Sequence, residues 1–268
     1  MAERTKIPWA DATWNPWQGC FKVSPGCAHC YMFREKIQFG QNPELVHRSI
    51  TTWGHPLRWA KELQEGLKPQ PSRPNRVFVC SWSDFFLSEA DEWRREAWDI
   101  IYSTPELIYL ILTKRPENIP SRLPFDWGKG WSHVWLGVSV ENQYWAEKRI
   151  PILLQIPAAK RFISVEPLLG PISLQGVLEI CEPCFARTGE PYVCNANWDC
   201  KPIKPISLVI VGGESGPQHR PMNLEWVRMI REQCRNAGVA YFGKQMSAIR
   251  PGVVLPGELG DREWPTGE

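Results

Sequence analysis

The sequence lacks the apolar run of about 20 residues that a membrane-spanning helix requires. Its first residues, MAERTK, also lack the charged-then-apolar order of a signal peptide. These two absences argue against a membrane protein and predict a cytoplasmic protein whose thiols stay reduced. The formal net charge is only +2, which is too small to indicate nucleic-acid binding by itself.

Histidine is scarce as well, with five residues, and no H-E-x-x-H pattern occurs, which argues against a zinc hydrolase. Cysteine and tryptophan are plentiful by contrast, with nine and 15 residues. In a reduced compartment, clustered cysteines indicate metal ligands or catalytic groups before disulfides. We expect most tryptophans to fill the core, and a few near the site to be able to stack on bases.

Seven segments are predicted to be buried strands, because each is an apolar or aromatic run, and nearly all end in polar residues. They are residues 13–19, 76–86, 107–116, 134–142, 161–171, 208–217 and 240–246. Helices are expected after most of them, including one with a capping box at Ser88 and Asp91, one over about 142–150, and one capped by Asn223 and ended by Gly238. Apolar strands that alternate with helices are typical of a parallel sheet.

Polar side chains recur at the ends of these strands. They are Ser81, Ser83 and Asp84; Thr113, Lys114 and Arg115; Ser139 and Glu141; Ser164 and Glu166; Glu214 and Ser215; and Lys244 and Gln245. In a (β/α) barrel the carboxyl ends of the strands form the rim of the active site. Since nearly every strand contributes, we predict a partial or complete (β/α) barrel, with an open doubly wound sheet as the alternative.

Residues 176–206 break this rhythm and are predicted to be an insertion between barrel segments 1–175 and 207–246, with 247–268 as a C-terminal extension. The insertion contains four thiols within twenty residues, namely Cys181, Cys184, Cys194 and Cys200. This spacing predicts a closed tetrathiolate site that folds the insertion around zinc or an auxiliary iron–sulfur cluster. Cys80 and Cys234, on apolar faces, are expected to be buried small hydrophobic residues.

A second cysteine set, Cys20, Cys27 and Cys30, lies between the first strand and a predicted helix over 31–39. The turn formers 24–26, Ser-Pro-Gly, can bring the first thiol beside the other two. Three thiolates on a [4Fe–4S] cluster leave one iron open to a substrate or cofactor. The alternative is a zinc site that takes His29 or His47 as its fourth ligand.

A cysteine triad in the first loop of a (β/α) barrel resembles the radical S-adenosylmethionine (SAM) superfamily, although the first gap here is six residues rather than that superfamily's usual three. More closely, TWNPWQGC…SPGCAHCYM, VCSWSDFF, LTKRP, GVSVEN, ISVEPLLGP and IVGGESGP resemble the three-cysteine-motif proteins of phage and bacterial genomes. That resemblance covers residues 7–246. It implies a radical SAM-like barrel whose activity is largely unassigned.

The resemblance implies that the open iron chelates SAM and that one electron, from a donor such as flavodoxin or ferredoxin, cleaves SAM to methionine and a 5′-deoxyadenosyl radical. By position, Ser81, Ser83 and Asp84 are the candidates for the methionine amino group. Ser139 and Glu141 are the candidates for the ribose hydroxyls.

The substrate-side candidates are Glu166, Glu214 and Lys114, together with Arg115 and Lys244. The phage association, the tryptophans and the metal-binding insertion favour a nucleobase, free or in nucleic acid, as in DNA modification. The basic residues Lys114, Arg115 and Arg220 are then expected to meet phosphates. The alternative is a non-catalytic, zinc-stapled nucleic-acid-binding protein.

Overall fold

The computed structural model describes residues 5–66, 75–181 and 202–265, and over these the fold is mixed α/β. The strands are β1 (Ala12–Trp14), β2 (Trp17–Gln18), β3 (His47–Arg48), β4 (Arg76–Val79), β5 (Ile108–Thr113), β6 (Val134–Ser139), β7 (Lys160–Val165), β8 (Ile180–Cys181), β9 (Pro202–Ile203), β10 (Leu208–Gly212) and β11 (Ala240–Gln245). The helices are α1 (Tyr31–Gln38), α2 (His55–Gln64), α3 (Asp91–Tyr102), α4 (Gln143–Gln155) and α5 (Leu224–Ala237).

Seven strands form one sheet in the order β1-β4-β5-β6-β7-β10-β11. The pairs β1–β4, β4–β5, β7–β10 and β10–β11 are parallel, so the predicted parallel sheet is confirmed. Each large strand lies beside the next one in the chain, without the reversal of order that defines a doubly wound sheet. Two short antiparallel ribbons, β2–β3 and β8–β9, stand apart from this sheet.

The chain divides into two compact units, Met1–Leu136 with Pro157–Ala159, and Gly137–Ile156 with Lys160–Glu268. The core of the first is rich in aromatic side chains, and the predicted burial of most tryptophans holds there for Trp9, Trp14, Trp17, Trp59, Trp98, Trp127 and Trp135. The core of the second unit is built from aliphatic and aromatic side chains of β7, β10 and β11 and from the inner face of α5. Cys80 and Cys234 are buried, as predicted.

The second predicted strand is shorter than its apolar sequence suggested. β4 ends at Val79 because Cys80 takes a positive φ of 60°, which no strand accommodates. Residues 80–86 therefore form a loop, although Phe85 and Phe86 at its end are still fully buried. The apolar pattern therefore predicts the burial of Phe85 and Phe86 correctly, but it does not predict the backbone conformation.

The predicted helix caps had mixed outcomes. The capping box at Ser88 was wrong: a short 3₁₀ turn precedes α3, whose N-cap is Ala90. The Ser88 hydroxyl instead donates to the Glu89 carboxylate at 3.1 Å. Asn223 does cap α5, since its side chain accepts from the backbone N–H of Glu225, and Gly238 ends that helix with a φ of 60°.

The segment after β11 lies along that strand's outer edge. Arg262 forms an antiparallel bridge with Phe242, and the Glu263 N–H donates to the Tyr241 carbonyl at 2.8 Å. The Trp264 ring packs 5.6 Å from that of Phe242. This pairing covers an edge that would otherwise expose unpaired backbone groups. None of the helices within the described ranges is both long and apolar enough to cross a membrane.

Candidate functional site

In the first unit, one buried side chain ties the loop after β1 to the loop after β4. Asn15 is fully buried, and its Oδ1 accepts from the backbone N–H of Trp82 at 2.7 Å. Its Nδ2 donates to the Ser81 hydroxyl at 3.0 Å. An amide side chain can donate and accept at once, so this single residue fixes both loops side by side.

Gly19, directly before the first cysteine, is fixed by the same neighbouring loop. Its N–H donates to the Trp82 carbonyl at 3.1 Å, and its carbonyl accepts from the Ser83 hydroxyl at 2.6 Å. Its φ is +97°, and an added Cβ would lie 2.4 Å from the Leu45 carbonyl oxygen. Only glycine satisfies both conditions, so the entry to the cysteine loop has a fixed path.

The cysteine triad occupies the loop that follows. Cys20, Cys27 and Cys30 are free thiols, and each is half-buried. The predicted turn is confirmed as a 3₁₀ turn after Ser24, whose hydroxyl lies 3.8 Å from the Cys27 sulfur. Cys30 is the N-cap of α1, where the helix dipole favours negative charge.

A buried guanidinium lies beside the first cysteine. Arg115 Nη1 is 3.8 Å from the Cys20 sulfur, and Nη2 donates to the Phe21 carbonyl at 2.7 Å. The same Nη1 lies 3.3 Å from Oδ2 of Asp84, and both members of this ion pair are buried. The Arg115 cation therefore holds the triad loop, and the buried Asp84 carboxylate positions this cation.

The Asp84 carboxylate accepts four hydrogen bonds from residues that the structure describes. Its Oδ1 accepts from the Thr113 hydroxyl at 2.7 Å and from the Phe86 N–H at 3.0 Å. Its Oδ2 accepts from the Lys114 N–H at 3.0 Å as well as from Arg115. These contacts hold the carboxylate in place beside Arg115. A role for Asp84 in binding the methionine amino group stays a prediction.

The groups around Cys20 have opposite effects on the pKa of its thiol. Burial raises the pKa of the Cys20 thiol to about 12, and the Asp84 carboxylate acts in the same direction, whereas Arg115 acts to lower it. Burial acts to lower the pKa of Arg115, but Asp84 and Cys20 outweigh it, so that pKa is raised. The guanidinium therefore keeps its charge. Because the pKa of Cys20 is about 12 even with this cation beside it, a thiolate at Cys20 requires a further positive charge, such as a bound metal.

The donor chemistry of the triad fits an iron–sulfur cluster, since three free thiols lie in one loop and a cation, a hydroxyl and a helix N-terminus lie beside them. Within residues 5–66, 75–181 and 202–265, no three His, Cys, Asp or Glu side chains converge on the position of one ion. A cubane cluster does not require its ligands to converge on one ion, because each of its thiolates binds a separate iron.

The other predicted residues of this unit are placed around the triad loop. Ser81 and Ser83 bond to Asn15 and Gly19, as described above, and Lys114 is half-buried at the end of β5. Sequence reasoning missed Asn15 and assigned Arg115 to phosphate rather than to Cys20. No local sequence signal pairs positions 20 and 115, because only the fold brings them together.

In the second unit, the predicted ribose-binding pair is buried. Glu141 is fully buried, and its Oε2 lies 3.0 Å from Arg149 Nη1. The same Nη1 donates to the Ser139 carbonyl at 2.8 Å. The guanidinium neutralises the carboxylate and joins the end of β6 to α4. The ribose-binding role of Ser139 and Glu141 stays a prediction.

Two further carboxylates of this unit each have a cation. Glu166, after β7, lies 2.7 Å from Lys244 Nζ of β11. Glu214, after β10, accepts from the backbone N–H of Arg220 at 2.9 Å and from its Nε at 3.0 Å. His219 bonds through Nδ1 to the Gly216 carbonyl at 3.1 Å. The strand ends of this unit are therefore lined with paired charges.

Of the second cysteine set, only one residue lies within the described part of the chain. Cys184, Cys194 and Cys200 lie outside the described residues, and Cys181 is the last residue of β8. The proposed tetrathiolate site of the insertion stays a prediction.

The chain was compared with models of protein families. Residues 4–255 match the model of DUF5131, a family described as proteins of unknown function, and the chain belongs to that family. No curated protein matches the chain, and no solved structure matches it.

Proposed function

We propose that this protein is a radical SAM enzyme whose [4Fe–4S] cluster is held by Cys20, Cys27 and Cys30. The observation that supports this most strongly is the placement of the triad. Three free thiols lie between β2 and α1, in the connection that follows the first strand of a parallel sheet, and the Arg115 guanidinium lies beside the first. In (β/α) barrels that edge carries the active site. The sequential strand order supports the finer proposal of a partial radical SAM-type barrel.

A cluster with one open iron supplies SAM binding and, after reduction by one electron, cleavage of SAM to methionine and a 5′-deoxyadenosyl radical. The electron comes from a low-potential donor of the flavodoxin or ferredoxin type. Abstraction of a hydrogen atom from the substrate would then give 5′-deoxyadenosine and a substrate radical. A cytoplasmic location would keep the thiols reduced for this chemistry.

The chain's own residues hold and shape this site. Asn15 and Gly19 fix the path of the triad loop, and Arg115 balances the charge at Cys20. In this proposal Ser81, Ser83 and Asp84 line the methionine end of SAM.

At the strand ends of the second unit, Ser139 and Glu141 are assigned to the ribose. Glu166 and Glu214 are assigned to the substrate, as is Lys114 of the first unit. The proposed substrate is a nucleobase or nucleotide.

The test is release of 5′-deoxyadenosine from SAM by protein reconstituted anaerobically with iron and sulfide and reduced with dithionite. We expect the parent to release 5′-deoxyadenosine and a Cys27→Ala variant to release none. Cys234→Ala is the matched control, because Cys234 is a buried cysteine outside the triad and its loss should leave release unchanged.

Iron and zinc are measured on the same samples. About four irons per chain that fall with Cys27→Ala agree with the proposal. A parent that takes up zinc but no iron, and releases no 5′-deoxyadenosine, contradicts it. In that case the zinc-stapled nucleic-acid-binding protein becomes the better description.

A further inference from the structure

The Cys20 thiol has a hydrogen-bond donor that comes from a distant part of the chain. Arg115 Nη1 lies 3.8 Å from the Cys20 sulfur, a distance at which an N–H can donate to sulfur. A neutral thiol is a weak acceptor, whereas a thiolate accepts stronger, charge-assisted bonds. The contact is therefore strongest when Cys20 is deprotonated, as a cysteine is when it binds a metal.

Further contacts hold the guanidinium in this position. Its Nη2 donates to the Phe21 carbonyl at 2.7 Å, and its Nη1 also lies 3.3 Å from Oδ2 of Asp84. The backbone N–H of Arg115 donates to the Thr113 hydroxyl at 2.9 Å, and that hydroxyl donates to the same Asp84 carboxylate. Because the planar fork is bonded on two sides, it does not have to reorient when the charge at the sulfur changes.

Buried charges beside an iron–sulfur cluster affect how easily the cluster is reduced. Reduction by one electron makes the cluster more negative, and its potential depends on net charge and on hydrogen bonds to its sulfurs. Arg115 and Asp84 are both buried, so salt screens their charges only weakly. The cation stabilises the reduced form and the carboxylate destabilises it, so the two residues act on the potential in opposite directions.

We propose that Arg115 raises the reduction potential of the triad's cluster through its hydrogen bond to the Cys20 sulfur, and that Asp84 positions Arg115 while offsetting part of this effect. The inference rests on the proposed function, because it takes the triad to hold a [4Fe–4S] cluster. It makes Arg115 a positioning residue of the cluster rather than a phosphate-binding residue. A side chain outside the triad thus governs how readily a low-potential donor reduces the cluster.

The test is a redox titration of the full-length protein, reconstituted anaerobically with iron and sulfide and followed by the EPR signal of the reduced cluster, without SAM. In Arg115→Met, we expect the ratio of reduced to oxidised cluster at a fixed potential to fall about tenfold, the scale of one hydrogen bond to a charged group. For a one-electron couple, this lowers the midpoint by about 59 mV. In Asp84→Asn the midpoint should rise, because the opposing negative charge is removed.

Two more variants separate this effect from a general disturbance of the fold. Arg115→Lys keeps the charge but loses the planar fork, so its midpoint should lie between those of the parent and Arg115→Met. Arg76→Met is the matched control: Arg76 also pairs with an aspartate, Asp11, at 3.1 Å, but at the first residue of β4, whereas Asp84 lies in the loop after that strand. Its midpoint should equal that of the parent.

Iron content and visible absorbance are measured on every sample. Equal midpoints in the parent and a cluster-loaded Arg115→Met, or shifts of Arg115→Met and Asp84→Asn in the same direction, would overturn the inference and leave the radical proposal standing. If Arg115→Met takes up no iron, Asp84→Asn decides: a raised midpoint supports the inference, and an unchanged one contradicts it. A parent that binds no cluster overturns both proposals.

Discussion

Replacing Arg115 with methionine removes the cation that links Asp84 to the triad loop. Breaking a buried ion pair typically costs 3–5 kcal/mol, because the remaining charge is left uncompensated. Here the Asp84 carboxylate would keep three donors, from Thr113, Phe86 and Lys114. We therefore expect the lower end, a loss of about 3 kcal/mol in the free energy of unfolding. For a chain of this size, that lowers the melting temperature by roughly 6 °C or more.

A double-mutant cycle separates charge pairing from packing. Asp84→Asn combined with Arg115→Met leaves neither charge unpaired, so the double variant should be more stable than the sum of the two single losses predicts. Thermal and urea unfolding of metal-free protein, followed by tryptophan fluorescence, measure all four corners of the cycle. Losses that add to within about 0.5 kcal/mol would refute a coupled pair.

The same variant tests whether Arg115 holds the triad loop. Its Nη2 donates to the Phe21 carbonyl, so its loss should speed amide hydrogen exchange in residues 19–30. Arg115→Lys keeps the charge but cannot reach both Asp84 and Phe21 with a planar fork, so we expect intermediate exchange. Unchanged exchange in Arg115→Met, despite lower stability, would show that the loop is held by its other contacts alone.

Two further predictions concern single positions. Gly212→Ala should lower the free energy of unfolding by about 1–3 kcal/mol because of the overlap with Glu166, whereas Gly170→Ala, whose Cβ meets no atom closer than 3.4 Å, should cost less in the same melts. Burial lowers the pKa of His133 below its ordinary value of 6.5. The unfolded chain therefore takes up a proton first, stability falls as the pH drops below about 6.5, and His133→Gln should flatten the melting temperature between about pH 7.5 and 5.5. Equal losses in the two glycine variants, or an unchanged pH profile, would contradict these predictions.

The sequence predicted the sheet well because its signal is local. Continuous apolar runs such as those of β5 and β10 are buried on both faces, and burial is what the pattern reports. The end of β4 was missed because cysteine is not a typical turn residue, and the positive φ of Cys80 depends on the surrounding fold. α2 was also missed, although Pro56 in its first turn, with the apolar residues Trp59 and Ala60 three and four positions further on, is a sequence signal that could have found it.

The site was predicted less completely, for the same physical reason. The triad's loop, its turn and the helix after it are encoded within about twenty residues, and the structure confirms them. The partner of Cys20 lies 95 positions away at the end of β5, where Arg115 was assigned to phosphate. Spacing along a sequence can show which neighbouring residues are able to bind one ligand. It cannot show which distant charged residue the fold places beside them.

The pairing of charges at the strand ends narrows the choice of ligand. Arg115 is engaged by Asp84, and Arg220 by Glu214, so two of the three basic residues assigned to phosphate already have carboxylate partners. A phosphate would have to displace a carboxylate from each, and the displaced carboxylate would then lack its cation. Tight binding of polyanions depends on unpaired cations that release counterions. If the substrate is a nucleotide, the arrangement at these two positions therefore favours recognition of the base over recognition of the phosphate backbone.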